Sequence, residues 1–314
     1  MLRWIDALLV FLASLMTLVN LLPLGARLSW LVDNTTHFRV QYLGVTLVLL
    51  ALLALRRRWR MCLVLAAAGA VSAVAVAPYL PLGATAVARE APVIKVLTVN
   101  VSFRPFSTRR LLEIIRDADP DVVVTQELTP YAAGELVPLD ASFVNSFKMP
   151  AEGPYGIAVW SRLPLDYAGP FALSRQPAIE ARVRAPGGTF TLLGVHLNAP
   201  TTPRRAAARN NELRALAERS AAVDGPLVVA GDFNLTPYSP FFGDWLAASG
   251  LTDTRRHRTP SVSWPALLPI IGIPIDHVAV SSEFTILSHQ RLPNFGSDHY
   301  GVLVELALRA PEQP

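Results

Sequence analysis

Disulfides and thiolate metal clusters are excluded at once: the 314-residue chain has one cysteine, Cys62, and it lies in an apolar segment. That scarcity says little about compartment, because exported proteins can lack disulfides too. Charge is also scarce, at 17% of residues against 52% that are hydrophobic. Such a chain is too apolar for an ordinary soluble domain and too ordered in pattern for disorder. The shortage is uneven. Residues 1–88 hold seven Arg and two Asp but no Lys and no Glu, a net +5. Residues 89–314 hold 21 Lys+Arg and 22 Asp+Glu, a net −1. The larger part therefore lacks the basic excess that a strong non-specific grip on nucleic acid needs. No internal repeat or low-complexity tract stands out beyond a bias to Ala, Leu and Arg.

What the first part does have is length in its apolar runs. Residues of about 5–24, 38–55 and 61–81 are expected to be transmembrane helices, since roughly 20 apolar residues span a bilayer core. The middle run has to borrow Phe38 or sit in a thinned bilayer. A cleaved signal peptide is the other reading of the first run, with Arg3 as its basic end, but two further apolar runs follow it. Arg56, Arg57, Arg58 and Arg60 fill the link between the second and third runs, which the positive-inside rule places in the cytoplasm. Everything after about Pro81 is then expected outside, periplasmic or extracellular, on a multi-pass inner or plasma membrane protein. Residues 82–92 read as a linker.

The remainder alternates strand and helix patterns. Val93–Phe103, Asp121–Glu127, Tyr155–Ser161, Ile179–Arg184, Phe190–Leu197, Ile275–Ser281 and Gly301–Leu308 read as strands. Ser107 or Thr108 is placed to cap a helix over Leu111–Ile115, Thr202-Pro203 to open one through Arg219, and a short helix is expected around Phe241–Ala248. One further strand, Val228-Val-Ala-Gly231, runs straight into Asp232-Phe-Asn234. By itself that is as much an Asx turn closing its own backbone as a functional site. Polar residues nevertheless recur at strand ends: Asn100, Glu127, His196, Asn198, Asp232, Asn234, Asp276, Asp298 and His299.

Leu97-Thr-Val-Asn100, Gln126-Glu127, Gly194-Val-His196, Gly231-Asp-Phe-Asn234, Ile275-Asp276-His277 and Ser297-Asp298-His299 together resemble the endonuclease/exonuclease/phosphatase superfamily, in its order, across about 93–308. The resemblance implies an α+β fold, a four-layer α/β/β/α sandwich over 93–309, behind the membrane helices. It also implies a metal-dependent phosphoester hydrolase using Mg2+ or Mn2+. A hard cation held by oxygen ligands neutralises the charge that builds on phosphate oxygens. Glu127 is expected as its main ligand, with Asn100 beside it and Asp298 helping. His299 is expected as the base, oriented by Asp276, because a neutral imidazole titrates near working pH. Asp232 would orient the attacking water, Asn234 donate to a phosphate oxygen, and His196 contact the phosphate and protonate the leaving oxygen.

Other residues have duller readings. Asn198 shapes a loop, Glu180 pairs with Arg182 or Arg184, His257 and His289 lie at the surface, and His277 is structural. Many relatives carry Arg just before the aspartate matching Asp276, where this chain has Ile273-Pro274-Ile275. The partner expected is a phosphoester, with a lipid-like one favoured by the membrane tether. Nucleic acid is disfavoured by the near-neutral charge, and a degenerate binding module remains as an alternative. The apolar stretch Trp264–Ile275 is either a packed Pro-rich connection or a loop touching the bilayer.

Overall fold

The computed structural model describes residues 2–82, 92–104, 107–173, 176–258 and 260–309; most of the expected linker, residues 83–91, lies outside them. Four helices come first: α1 (Leu2–Leu21), the short α2 (Trp30–Thr35), α3 (Arg39–Leu55) and α4 (Trp59–Val76). Three stretches are long and apolar enough to cross a membrane: Arg3–Gly25, Trp30–Leu55 and Trp59–Tyr79. Helices α1, α3 and α4 pack on Ala13, Met16, Leu49, Leu53 and Leu65. Asn20 at their centre donates to Thr46 at 2.9 Å and accepts from Ser72 at 2.7 Å. Gly69 permits this approach, since a β-carbon there would meet Thr46 Cγ2 at 2.8 Å.

The rest is two six-stranded mixed sheets face to face with helices outside, the expected sandwich. In chain order its elements are β1 (Val93–Asn100), α5 (Arg109–Ala118), β2 (Val122–Gln126), α6 (Pro130–Glu135), β3 (Asn145–Met149), β4 (Ile157–Ser161), β5 (Leu165–Leu173) and β6 (Gln176–Ala185). There follow β7 (Gly188–His196), α7 (Pro203–Ala221), β8 (Leu227–Asp232), α8 (Pro240–Ser249), β9 (Thr252–Asp253), β10 (Asp276–Val280), β11 (Phe284–Arg291) and β12 (Val302–Leu308). One sheet runs β11-β12-β1-β2-β4-β3 and the other β5-β6-β7-β8-β10-β9. Each holds one parallel pair, β1 with β2 and β7 with β8, bridged by α5 and α7. Alternate residues such as Val96, Val124, Leu192 and Val228 fill the space between the sheets. The opposite faces bury Leu111 and Ile115 of α5, and Leu213 and Leu216 of α7.

Local chemistry sets the helix ends. Thr202 accepts from Arg205 N at 3.2 Å ahead of Pro203, and Ser239 from Phe241 N ahead of Pro240. Helix α5 departs from expectation: Thr108 makes no cap bond, and its hydroxyl meets Glu135 Oε2 at 3.4 Å. The four strands that the sequence pattern did not predict, β3, β5, β9 and β11, are the four sheet edges. Edge strands face solvent and carry mixed polarity, so they lack a buried strand's apolar run.

The helical region is fastened to the sandwich. Asp33, 1% exposed, accepts from Arg209 Nη2 at 2.6 Å and Ser239 Oγ at 2.7 Å. His37 Nδ1 lies 3.0 Å from Thr236 Oγ1, Gln41 donates to Gly272 O at 2.7 Å, and Asn34 to Pro200 O at 3.2 Å. Tyr79 stacks edge-on against Tyr238, and His257 N donates to Pro78 O at 2.9 Å. At the far end of α3, Arg56 and Arg58 pair with Asp6 at 2.7 and 2.6 Å. The basic link and the sandwich thus lie at opposite ends of α3.

Candidate active site

Parallel strands deliver their C-terminal ends to one side of a sheet, where ligands commonly bind. Here the two parallel pairs deliver Asn100 and Glu127 from one sheet, His196 and Asp232 from the other. The register then makes a row: His196 is the partner of Asp232 across β7–β8, and Asp232 that of Asp276 across β8–β10. Gly231 lets β7 come this close, because a β-carbon on it would meet Val195 O at 1.9 Å. The loop after β8 turns through Asn234 and the loop after β2 through Glu127, with φ of +49° and +60°. Non-glycine residues are held in that region against a cost of order 1–3 kcal/mol, and such positions cluster at functional sites.

Asn100 joins the sheets. Its Nδ2 donates to Glu127 Oε1 and to Asp232 Oδ2, both at 3.1 Å, and its Oδ1 accepts from Ser102 N at 2.9 Å. The amide nitrogen, rather than the oxygen, therefore faces the two carboxylates. Glu127 Oε2 accepts from Phe103 N at 2.9 Å. His299 Nδ1 donates to Asp276 Oδ2 at 2.9 Å, leaving Nε2 3.8 Å from Asp232 Oδ2. His196 Nε2 lies 3.7 Å from Asp232 and 3.9 Å from Glu127. Asn234 donates to Leu197 O at 2.9 Å and sits 3.4 Å from His196 Nε2. Asp298 accepts from the Trp264 indole at 3.1 Å and lines the same cleft, of about 820 Å³, with Glu127, His196, Asp232, Asn234 and His299. All eight candidate residues are thereby brought to one neighbourhood.

Packing so much charge together shifts protonation. Burial, helped by Asp276, pushes the Asp232 carboxyl up to about 6. For His299 burial favours the neutral ring, but the charge and hydrogen bond of Asp276, then Asp232 and Asp298, outweigh it and raise the imidazole to about 10. Burial would likewise raise Asp276, and His299 outweighs that and holds it below its ordinary value. Such a cluster has a surplus of negative charge that a cation would relieve. Asp232, Asp276 and His299 each offer a ligand atom within 4.8 Å of the others, and Asp276 Oδ1 is buried with no partner among the described residues. Hard oxygens in excess fit a divalent cation.

Two serines complete the frame: Ser263, which has no signal in the sequence, and Ser297, which opens the Ser297-Asp298-His299 block. Ser263 Oγ accepts from the backbone N of Ile275 and Asp276, at 3.0 and 3.1 Å. Ser297 Oγ donates to Asn100 O at 2.9 Å and accepts from His299 N at 3.0 Å, fixing the last loop to β1. The residues with duller readings divide. Asn198 shapes its loop through Glu212, at 2.5 and 2.9 Å. His277 is structural: it lies 2.8 Å from Leu235 O and 3.0 Å from Arg255 Nη1. Glu180 pairs with Arg219 of α7, not with Arg182 or Arg184; Arg184 pairs instead with Asp166. His289 is not a surface residue but half-buried, 2.9 Å from Thr254 Oγ1, because the β11 edge folds under that loop. His257 is exposed.

The profile of the Endonuclease/Exonuclease/phosphatase family matches residues 97–299, nearly the whole sandwich. The chain belongs to that family. Its members are phosphoester hydrolases. Similar solved structures include the family protein of Bacteroides vulgatus, at TM-score 0.60 and 18% identity, covering 69% of this chain and 100% of that one. The family protein of Beutenbergia cavernae aligns at TM-score 0.54 and 23% identity over 70% and 73%. A mannosyl-6-phosphatase of Bacteroides thetaiotaomicron aligns at 0.53 and 16% over 68% and 100%. At these identities the likeness is one of fold. No curated protein matches the chain.

Proposed function

We propose that this chain is a membrane-anchored, divalent-metal-dependent phosphoesterase whose catalytic sandwich faces away from the cytoplasm. The observation that carries the reading is the Asp276–His299 pair at 2.9 Å, aimed into a cleft shared with Glu127, Asp232 and His196. A Mg2+ or Mn2+ ion held by Glu127 and Asp298, with Asn100 beside them, would supply charge neutralisation at the phosphate and oppose the field that keeps His299 protonated. His299 Nε2 then takes the proton of the attacking water while Asp276 holds Nδ1 and stabilises the imidazolium. Asp232, 3.8 Å from that ring, orients the water. Asn234 steadies a phosphate oxygen, and His196 returns a proton to the leaving oxygen.

The arginine link at the far end of α3 supports an outward-facing sandwich. A nuclease is the second reading, supported by exposed Arg104 and Arg205 at the cleft and opposed by the near-neutral domain. The test uses the full chain with aryl phosphates, phospholipids and nucleic acids, in magnesium or manganese and in chelator. Hydrolysis lost in chelator is expected; hydrolysis unaffected by it would sink the metal-dependent reading. Alkaline phosphatase fused after Pro314 should be active, and a full-length fusion that is made but inactive, its disulfides unformed in the cytoplasm, would reverse the orientation.

A further inference from the structure

The cleft is not built by the sandwich alone. Trp30, Asn34, His37 and Phe38, from the connection between α1 and α3, line it together with Glu127, His196 and His299. That connection is held in place by the buried Asp33–Arg209 pair and by the contact of His37 with Thr236. Phe38 immediately precedes α3, and the whole of Trp30–Leu55 qualifies as a membrane span. One wall of the cleft therefore belongs to the sandwich-side end of a stretch long and apolar enough to cross a membrane.

The opposite rim leads to the same level. Trp264, Ile273 and Ile275 line the cleft, and Gln41 in the first turns of α3 donates to Gly272 O at 2.7 Å. Between those lining residues the chain bulges outward and exposes Leu267 and Ile270, 81% and 85% accessible, flanked by Leu268 and Ile271. A few residues before the lining residue Trp30, Leu28 is 89% exposed, with Leu24 and Leu31 also exposed. Burying one such side chain contributes about 1.5–3 kcal/mol, and so many large apolar side chains left in water would be a liability. Set at the end of a span, they form an interfacial seat.

We infer that this site draws its substrate from the bilayer: a lipid phosphoester of the leaflet on the sandwich side, with its phosphate at His299 and its apolar part left between the two rims. This rests on the phosphoesterase reading above. The reaction is the same hydrolysis, one water consumed and one P–O ester bond broken. Loop 264–273 seats in the leaflet, and Arg104 and Arg205, exposed at the cleft, meet the anionic headgroup. The occupant is the bilayer itself, because both rims are bonded to segments that emerge from it.

The test places the full chain in vesicles of phosphatidylethanolamine and phosphatidylglycerol with magnesium. It compares hydrolysis of those lipids with that of soluble bis(p-nitrophenyl) phosphate, for the wild type and for Leu267→Glu/Ile270→Glu, neither of which lines the cleft. Lipid hydrolysis should fall at least about tenfold in the variant and the soluble reaction less than about twofold, since one tenfold step is 1.4 kcal/mol. Equal loss of both, or turnover of the soluble ester alone by the wild type, overturns the inference. Turnover of neither sinks the phosphoesterase reading beneath it. A readout without chemistry accompanies this: an NBD probe on Ile270→Cys in a Cys62→Ser background should be quenched by lipids brominated on their acyl chains. A probe left unquenched overturns the seat.

Discussion

In the anchor the large apolar side chains face outward, and in the sandwich they face inward. Phe11, Leu47, Leu63 and Val74 are exposed, whereas Val96, Val124, Leu192 and Val228 are sealed between sheets. Polar groups invert as well. Asn20, Thr46 and Ser72 are buried where the three helices pack, and there each polar group must find a partner. In the sandwich, buried polar groups gather where strands end, and there they line the cleft. The same residue types thus tie apolar helices together in one region and line a candidate site in the other.

The largest expected effect separates the two regions by activity. His299→Ala or Glu127→Ala should lower metal-dependent kcat/KM by about 10²–10⁴-fold, the usual worth of a positioned acid or base. The helical region should be unaffected, while His299→Ala also leaves Asp276 buried without its partner and lowers the thermal stability of the sandwich; retained activity would remove both residues from their assigned roles. Next is the joint between the regions. Asp33→Ala strands Arg209 in a buried position, and breaking such a pair costs about 3–5 kcal/mol. Thermal unfolding of the purified full chain in detergent should show it, and a change under 1 kcal/mol would mean that the regions are not tightly docked.

Acid should distinguish the regions further. Asp253 is buried, which by itself would raise its carboxyl, but His277 and Arg255 outweigh burial and hold it well below its ordinary 3.8. A carboxyl depressed on folding contributes stability above its unfolded pKa and loses it as pH falls through the folded value. Below about pH 4 the sandwich should therefore lose its fixed tryptophan environments while the anchor keeps its helicity. Asp253→Asn should flatten that acid limb, measured by tryptophan fluorescence against far-UV dichroism. The smallest effect belongs to the anchor's polar centre: Ser72→Ala should cost about 0.6 kcal/mol, and at most about 1.7, in helix-bundle unfolding in detergent. A loss of several kcal/mol would show that Asn20 organises the bundle far more than such groups usually do.

Much of this was legible from the sequence, and the boundary has a physical cause. Eight central strands were readable because their apolar residues are buried, in nearly continuous runs as in β2 and β8 or in alternation as in β6. The edges β3, β5, β9 and β11 face solvent on one side and look like loops. The candidate residues were readable because they end apolar strands. Their bonding was not: a lone serine such as Ser263 carries no pattern, the block that holds Ser297 does not say what its hydroxyl meets, and His289 looks the same in a sequence whether solvent or Thr254 meets it.

By itself the sequence determined three apolar spans, a sandwich of alternating strands, and a set of acids, amides and histidines at the strand ends. Those are local properties, set by hydrophobic period and turn chemistry over a few residues. Only the tertiary structure decided that His196, Asp232 and Asp276 lie in one row, because strand register is a choice between distant segments. It alone joined Asp33 to Arg209, 176 residues apart, and so put Trp30 and Phe38 of the anchor into the wall of the cleft. Burial of a charge demands a partner but does not say where along the chain the partner is.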